Sequence, residues 1–392
     1  MNDPKEEVID MHVHVGLRGD KWPYLGKFSG HFMRSPTLAG LLLYGGMTYE
    51  DLTDERMKQA TLRAIRGTKE VNKVVCLAMD PAFDKGGHSL VCKAHMWVAN
   101  EYVLELRAEL PDKILFGASV HPYDKKFEDR VREYVKEGAV LVKWLPSAQA
   151  IDLAHDIIVD RLKFLATAKH GKPLPLLLHV GSEYSIPPID SRTKSMDFIS
   201  WSKYDRFRNT LRLWRRWHRP DVRRIHANLQ AGLDAGAIII FAHCGLPYFA
   251  WSRIGKRLEH SDLDAVSRYL RAPANRGRAF ADVSAIVTPM RHTYFHRLRE
   301  LPEDTLVFGS DFPVPIFELS GDLRQKHRDH RAVMRGHIRN ILVPSGNLMD
   351  LNHRELQTVF GANHPLFTNF ASLASTTAGA RRDPTVNELP GT

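Results

Sequence analysis

Eight short apolar runs constrain the fold of this chain more than any other feature. They are Val8–Gly16, Lys73–Asp80, Ile114–Pro122, Ala139–Ser147, Leu174–Glu183, Ala237–Gly245, Ala279–Ile286 and Leu306–Val314. Most end in Gly, Pro, His or Asp, as strands buried on both faces of a parallel sheet do. The segments between them often carry helical spacing. Met57, Ala60, Thr61, Ala64 and Ile65 predict a helix before the second run, and Phe127, Val131, Tyr134 and Val135 one before the fourth. Eight strands alternating with helices read as α/β, a (β/α)8 TIM barrel. A doubly wound open sheet is the rival, but no glycine-rich dinucleotide turn follows the first run.

Composition agrees with a globular protein. Apolar residues are 43% and charged residues 26% of 392, which excludes collagen-like, mucin-like and wholly disordered classes. That length suits one barrel with insertions, read as a single domain over 1–374, with a disordered tail at 375–392. No run of eighteen apolar residues predicts a transmembrane helix. The polar start, Met1–Glu7, lacks a secretory pattern, and Cys76, Cys92 and Cys244 show no zinc-ribbon or CxxC spacing. The expectation is a cytoplasmic protein with reduced thiols. Homo-oligomerisation stays open.

Three stretches exceed what a barrel needs: 17–49, 184–220 and 321–352. Each follows a strand and so belongs to the C-terminal face, where barrel active sites lie. The net charge of +10 is concentrated locally. From Asp190 to Pro220 there are nine Lys/Arg against three Asp. A basic balance confined to one insert gives no reason to expect nucleic-acid binding. Within it Phe207, Leu211 and Trp214 share a helical face, while Arg208, Arg212, Arg215 and Arg216 fall largely elsewhere. The plainest reading is a helix packed on the rim. The functional expectation adds that Arg212 and Arg215 overhang the site and draw in an anionic substrate. A membrane-surface helix would use the same residue types.

His12 and His14 stand two apart on the first run, so a strand puts both imidazoles on one face and Met11, Val13 and Val15 on the other. Such a pair is a ready half of a metal site, though chance pairs are common among twenty histidines. Recurrence strengthens it. Lys143, His179, His243 and Asp311 fall at the ends of the fourth, fifth, sixth and eighth runs, which meet at one rim if the barrel forms.

With VIDMHVHVG, VKWLPS, LLLHVGSE, FAHCGLP and FGSDFPV, the chain from Val8 to Val314 resembles the amidohydrolase superfamily, in its amidohydrolase-related branch of TIM-barrel metal-dependent hydrolases. The resemblance implies one or two divalent metals, zinc by preference, held by His12, His14, His179 and Asp311. Asp311 would take and return the proton of the nucleophilic water. Lys143 would be a carbamylated bridging ligand in a two-metal site, or an unmodified amine bound to a substrate carboxylate. His243 would be a ligand of the second metal, or a polarising or acid group beside a single one. The implied activity is hydrolysis of an amide, ester or lactone by metal-bound hydroxide, on a small carboxylate-bearing substrate. Relatives that decarboxylate aromatic or unsaturated acids carry a similar set, usually without the lysine ligand. A non-catalytic protein that binds anionic surfaces is the reading from another class.

Weaker candidates remain. Arg291 and His292 follow the seventh run and could clamp an anion, with solvated surface as the plainer reading. His121 could line the pocket or cap a turn. Glu183 could orient a ligand histidine or be merely solvated. Cys244 beside His243 looks like a nucleophile pair, but neighbours on a strand face opposite ways.

Overall fold

A computed structural model describes residues 7–35, 38–39, 42, 48–180, 186, 221–246, 261–287, 291, 294–313 and 346–377. Ten strands lie among them: β1 (Ile9–His14), β2 (Gly26–Phe28), β3 (Lys73–Leu77), β4 (Met96–Val98), β5 (Ile114–Ala118), β6 (Ala139–Trp144), β7 (Leu176–Leu178), β8 (Ile239–Phe241), β9 (Ala279–Asp282) and β10 (Leu306–Val307). Eight form one sheet in the order β1-β3-β5-β6-β7-β8-β9-β10, every neighbour parallel. The ends of this sheet meet. Met11 N–H donates to the Phe308 carbonyl at 3.1 Å, Asp311 N–H to His12 at 2.9 Å, and His14 N–H to Phe312 at 2.8 Å. The sheet is therefore a (β/α)8 barrel, built from the eight apolar runs.

The helices sit where the spacing placed them, with one shift of face. Thr53 caps the helix Asp54–Arg66 by accepting from Arg56 N–H. Its sealed apolar residues are Leu62 and Ile65, while Ala60 and Ala64 stay at the margin, so the buried stripe lies slightly to one side of the predicted one. In Phe127–Lys136 the four predicted residues are the buried ones.

Alternation along the strands separates two apolar layers. Ile9, Met11, Val75, Leu77, Leu141, Leu177, Ile240, Phe280 and Val307 pack together inside the barrel. Val13, Val74, Cys76, Phe116, Val142, Trp144, Leu176, Phe241 and Phe308 pack outward with the helices. The pairing of β1 with β3 slips between Asp10 and Val13, so three residue steps on β1 match two on β3. This bulge corrects the period-two reading of the first run. Met11 belongs to the interior below the bulge, and His12 and His14 face inward above it.

Phe370 and Leu373, on the helix Asn369–Thr377, join the interior cluster and close the floor. That helix extends past the predicted start of the tail at 375. The insertion after β1 contributes β2, which pairs antiparallel with β4. A segment after β3 therefore elaborates the fold too, which the sequence reading did not single out. Most of 184–220 and 321–345 lies outside the described residues, and so do Arg208, Arg212, Arg215 and Arg216. No described helix is long and apolar enough to cross a membrane.

Candidate metal centre

The inward parity of five strands ends at one place. His12 and His14 come from β1, Lys143 from β6, His179 follows β7, His243 follows β8, and Asp311 follows β10. His12 Nε2 lies 3.1 Å from His14 Nε2 and 3.5 Å from Asp311 Oδ1, and His14 Nε2 lies 3.1 Å from that same oxygen. Lys143 Nζ is 3.2 Å from His12 Nε2. The His243 ring packs 5.0 Å from both His12 and His179, centroid to centroid. The His12 side chain is sealed, whereas that of His14 is 27% exposed, so the site opens on the side of His14.

Backbone geometry aims several of these groups. β8 stops at Phe241, and His243 and Cys244 then take left-handed φ of 55° and 52°. Each such residue costs roughly 1–2 kcal/mol, which the buried hydrogen bond from His243 N–H to Asp282 Oδ1 (2.9 Å) helps offset. Asp311 also has a left-handed φ of 63°, held by the bond from its N–H to His12. A glycine at 309 is a spatial requirement. A Cβ there would stand 2.8 Å from His12 Cβ and 3.3 Å from that of Ser284.

Asp282 and Ser284, two apart at the end of β9, were not picked out in the sequence. Asp282 Oδ2 lies 2.9 Å from His12 Nδ1, and Ser284 Oγ lies 2.7 Å from His243 Nδ1. The signal was present: the seventh apolar run also places an Asp at its strand end. Asp10 was missed as well. It lies beneath His12 and accepts from the N–H groups of His12 (3.2 Å) and Ser310 (2.8 Å).

Burial sets the protonation states. It drives His12, His179 and His243 below the ordinary histidine range, His243 to about 3, so all three are neutral near pH 7. Lys143 pushes His12 the same way. Burial opposes ionisation of Asp311 and Asp282 too. For Asp311 the histidines, His243 foremost, outweigh it; for Asp282, His12 does most. Both carboxyls are held well below the usual carboxylate range.

The donor set fits a divalent cation. With His12 Nδ1 engaged by Asp282, its Nε2 carries a lone pair, and three acceptor atoms converge within 3.5 Å. Nitrogen and oxygen ligands about 2.0–2.2 Å from one ion, at tetrahedral or octahedral angles, stand roughly 3.0–3.5 Å apart. These atoms already have that spacing.

The remaining candidates divide. Arg291 is buried at 6% exposure rather than solvated at the surface, and its charge is felt by His179, His243 and Cys244. His121 has the turn role: Nε2–H donates to the Gln149 carbonyl at 2.8 Å, and Nδ1 accepts from Tyr123 N–H at 3.1 Å. Cys244 lies on a left-handed turn, not on a strand. Its thiol donates to the Asp282 carbonyl, and burial pushes it well above the ordinary range, so it is no nucleophile. Glu183 and His292 lie outside the described residues.

No protein-family model and no curated protein matches the chain. Among solved structures it is similar to an uncharacterised TIM-barrel protein from Bordetella bronchiseptica, with 11% identity and a TM-score of 0.47 over 93% of this chain and 99% of that one. A Staphylococcus aureus protein carrying the name amidohydrolase matches with 11% identity and a TM-score of 0.44, over 94% and 99% of the two chains. A 5-carboxyvanillate decarboxylase from Sphingomonas paucimobilis matches with 11% identity and a TM-score of 0.40, over 91% and 99%.

Proposed function

We propose that this protein is a metal-dependent hydrolase of amidohydrolase type, acting on an amide, ester or lactone of a small carboxylate-bearing substrate. The carrying observation is the convergence of His12 Nε2, His14 Nε2 and Asp311 Oδ1 at the open end of the barrel. These three would hold a divalent cation, zinc by preference, with His179, His243 and Lys143 completing the set for one or two ions. A cation there supplies Lewis acidity toward a carbonyl and makes water a stronger acid.

Asp311 is the proton carrier. It is ionised, and it adjoins both His14 and His243. Its carboxylate accepts a proton from the attacking water and returns it to the leaving group. His243, neutral and 3.9 Å from Asp311 through Nδ1, would be a ligand of the second ion in a two-ion site. Arg291 provides positive charge beside His179 and His243 for a substrate carboxylate. Arg212 and Arg215 keep their proposed part in attracting the anion.

Decarboxylation of an aromatic or unsaturated acid is the second reading, because one ion on His12, His14 and Asp311 with an unmodified Lys143 would serve it equally. Metal analysis of purified protein, with mass measurement at Lys143, separates the two. Carbamylation with two ions per chain favours hydrolysis; a free amine with one ion favours decarboxylation. The double variant His12→Ala/His14→Ala should lose bound metal. Asp311→Asn should keep most of it and lose about 10²–10⁴-fold in turnover. Full metal content in the double variant removes the site assignment.

A further inference from the structure

Asp282 is close enough to His12 and His243 to be taken for a third ligand with them. Its hydrogen bonds argue otherwise. Oδ2 is engaged by His12 Nδ1 at 2.9 Å. Oδ1 accepts from the N–H of His243 at 2.9 Å, the N–H of Ser284 at 3.0 Å and the Ser284 hydroxyl. Four donors meet one fully buried carboxylate, and a carboxylate accepts only.

That arrangement dictates the protons around it. His12 must carry its proton on Nδ1. The single hydroxyl proton of Ser284 goes to Asp282, so Ser284 Oγ acts as an acceptor toward His243 Nδ1 at 2.7 Å. It also lies 3.2 Å from His12 Nδ1. The Ser284 carbonyl, 3.4 Å from His243 Nδ1, is another acceptor for the same proton. His243 is thereby an Nδ1–H tautomer too.

We propose that Asp282, directly on His12 and through Ser284 on His243, is a positioning residue that fixes both imidazoles as Nδ1–H tautomers with their lone pairs on Nε2. A single carboxylate then prepares two site histidines from different strands, and the serine hydroxyl, nearer to His243 Nδ1 than the Ser284 carbonyl is, carries the link from Asp282 to His243. The functional weight of this assignment rests on the metal reading above; the tautomers themselves do not. Orienting partners of this kind change metal affinity by about 10–100-fold.

The test is long-range proton–nitrogen NMR on metal-free, full-length protein labelled with ¹⁵N-histidine, the two rings assigned from His12→Gln and His243→Gln. In the parent protein both rings should show a protonated Nδ1. In Ser284→Ala, His12 should be unchanged, while the nitrogen shifts of His243 move toward a mixture of tautomers. Zinc titration against a competing chelator should show that variant binding about tenfold more weakly with unchanged stoichiometry. An Nε2–H tautomer at His243 in the parent overturns the proposal, without need of a variant. So do unmoved His243 shifts in Ser284→Ala, or an ion lost from the stoichiometry in Asp282→Asn, which would make Asp282 a ligand. Tautomers as expected in a parent protein that binds neither zinc nor manganese would remove the metal reading and leave this assignment standing.

Discussion

His12 is pressed from below, from the side and from above. Asp10 accepts its N–H, Asp282 engages its Nδ1, and the missing side chain at Gly309 leaves room for its Cβ. Gly309→Ala should therefore move His12, since the new Cβ has nowhere to yield. We expect a loss of about 1–3 kcal/mol from overpacking and metal affinity weakened more than tenfold. Parent-like affinity in a metal titration would show that the strands adjust without moving the ring. Asp10 carries a second prediction. Burial raises its carboxyl to about 7, against the opposing bonds from Ser310 and His12. A raised carboxyl gives stability present below pH 4 and lost as pH climbs through 7. Asp10→Asn should flatten that fall, worth a few kcal/mol, in urea melts across pH 4–8. An unchanged slope would assign the pH dependence to other groups.

At the scale of elements, the first insertion is tied to the helix Asp54–Arg66 through Asp54. Its carboxylate accepts from the N–H groups of Gly19, Lys21 and Trp22, each at 2.9 Å, and Asp20 accepts from Asp54 N–H in return. Burial opposes ionisation, yet those backbone donors lower the pKa of Asp54 overall. Bonds to a charged acceptor contribute roughly 1.5–3 kcal/mol each when considered singly, and three that act together are not additive. Asp54→Ala should cost about 2–4 kcal/mol and speed amide exchange at Gly19, Lys21 and Trp22 specifically. Equal protection in both proteins would mean the loop is held by packing. The bulge on β1 belongs to this scale too. Without it, the parity that puts Met11 inside would turn His12 outward to the helix layer.

For the molecule as a whole, floor and mouth are separate. Phe370 fills the closed end with Ile9, Met11 and Phe280, while the metal candidates gather at the other. Phe370→Ala should lower stability by about 3–5 kcal/mol and leave metal stoichiometry intact, read by thermal melts and metal analysis on the same sample. Coupled loss of both would show that the barrel transmits strain from floor to rim.

What the amino-acid order determined by itself was periodic or local. Eight apolar runs specify the strands, and ligand-type residues at their ends mark His12, His14, Lys143, His179, His243 and Asp311, because a parallel barrel brings like ends together. Residues whose part depends on a third dimension were not legible. Asp282 and Ser284 look like any strand-end polar pair until β8 and β1 bring His243 and His12 against them. Gly309 looks like a turn glycine until His12 approaches it. Arg291 looks solvated until the fold buries it. Met11 was assigned to the wrong face because a bulge comes from pairing between strands, and a period of two cannot see a residue that the partner strand skips.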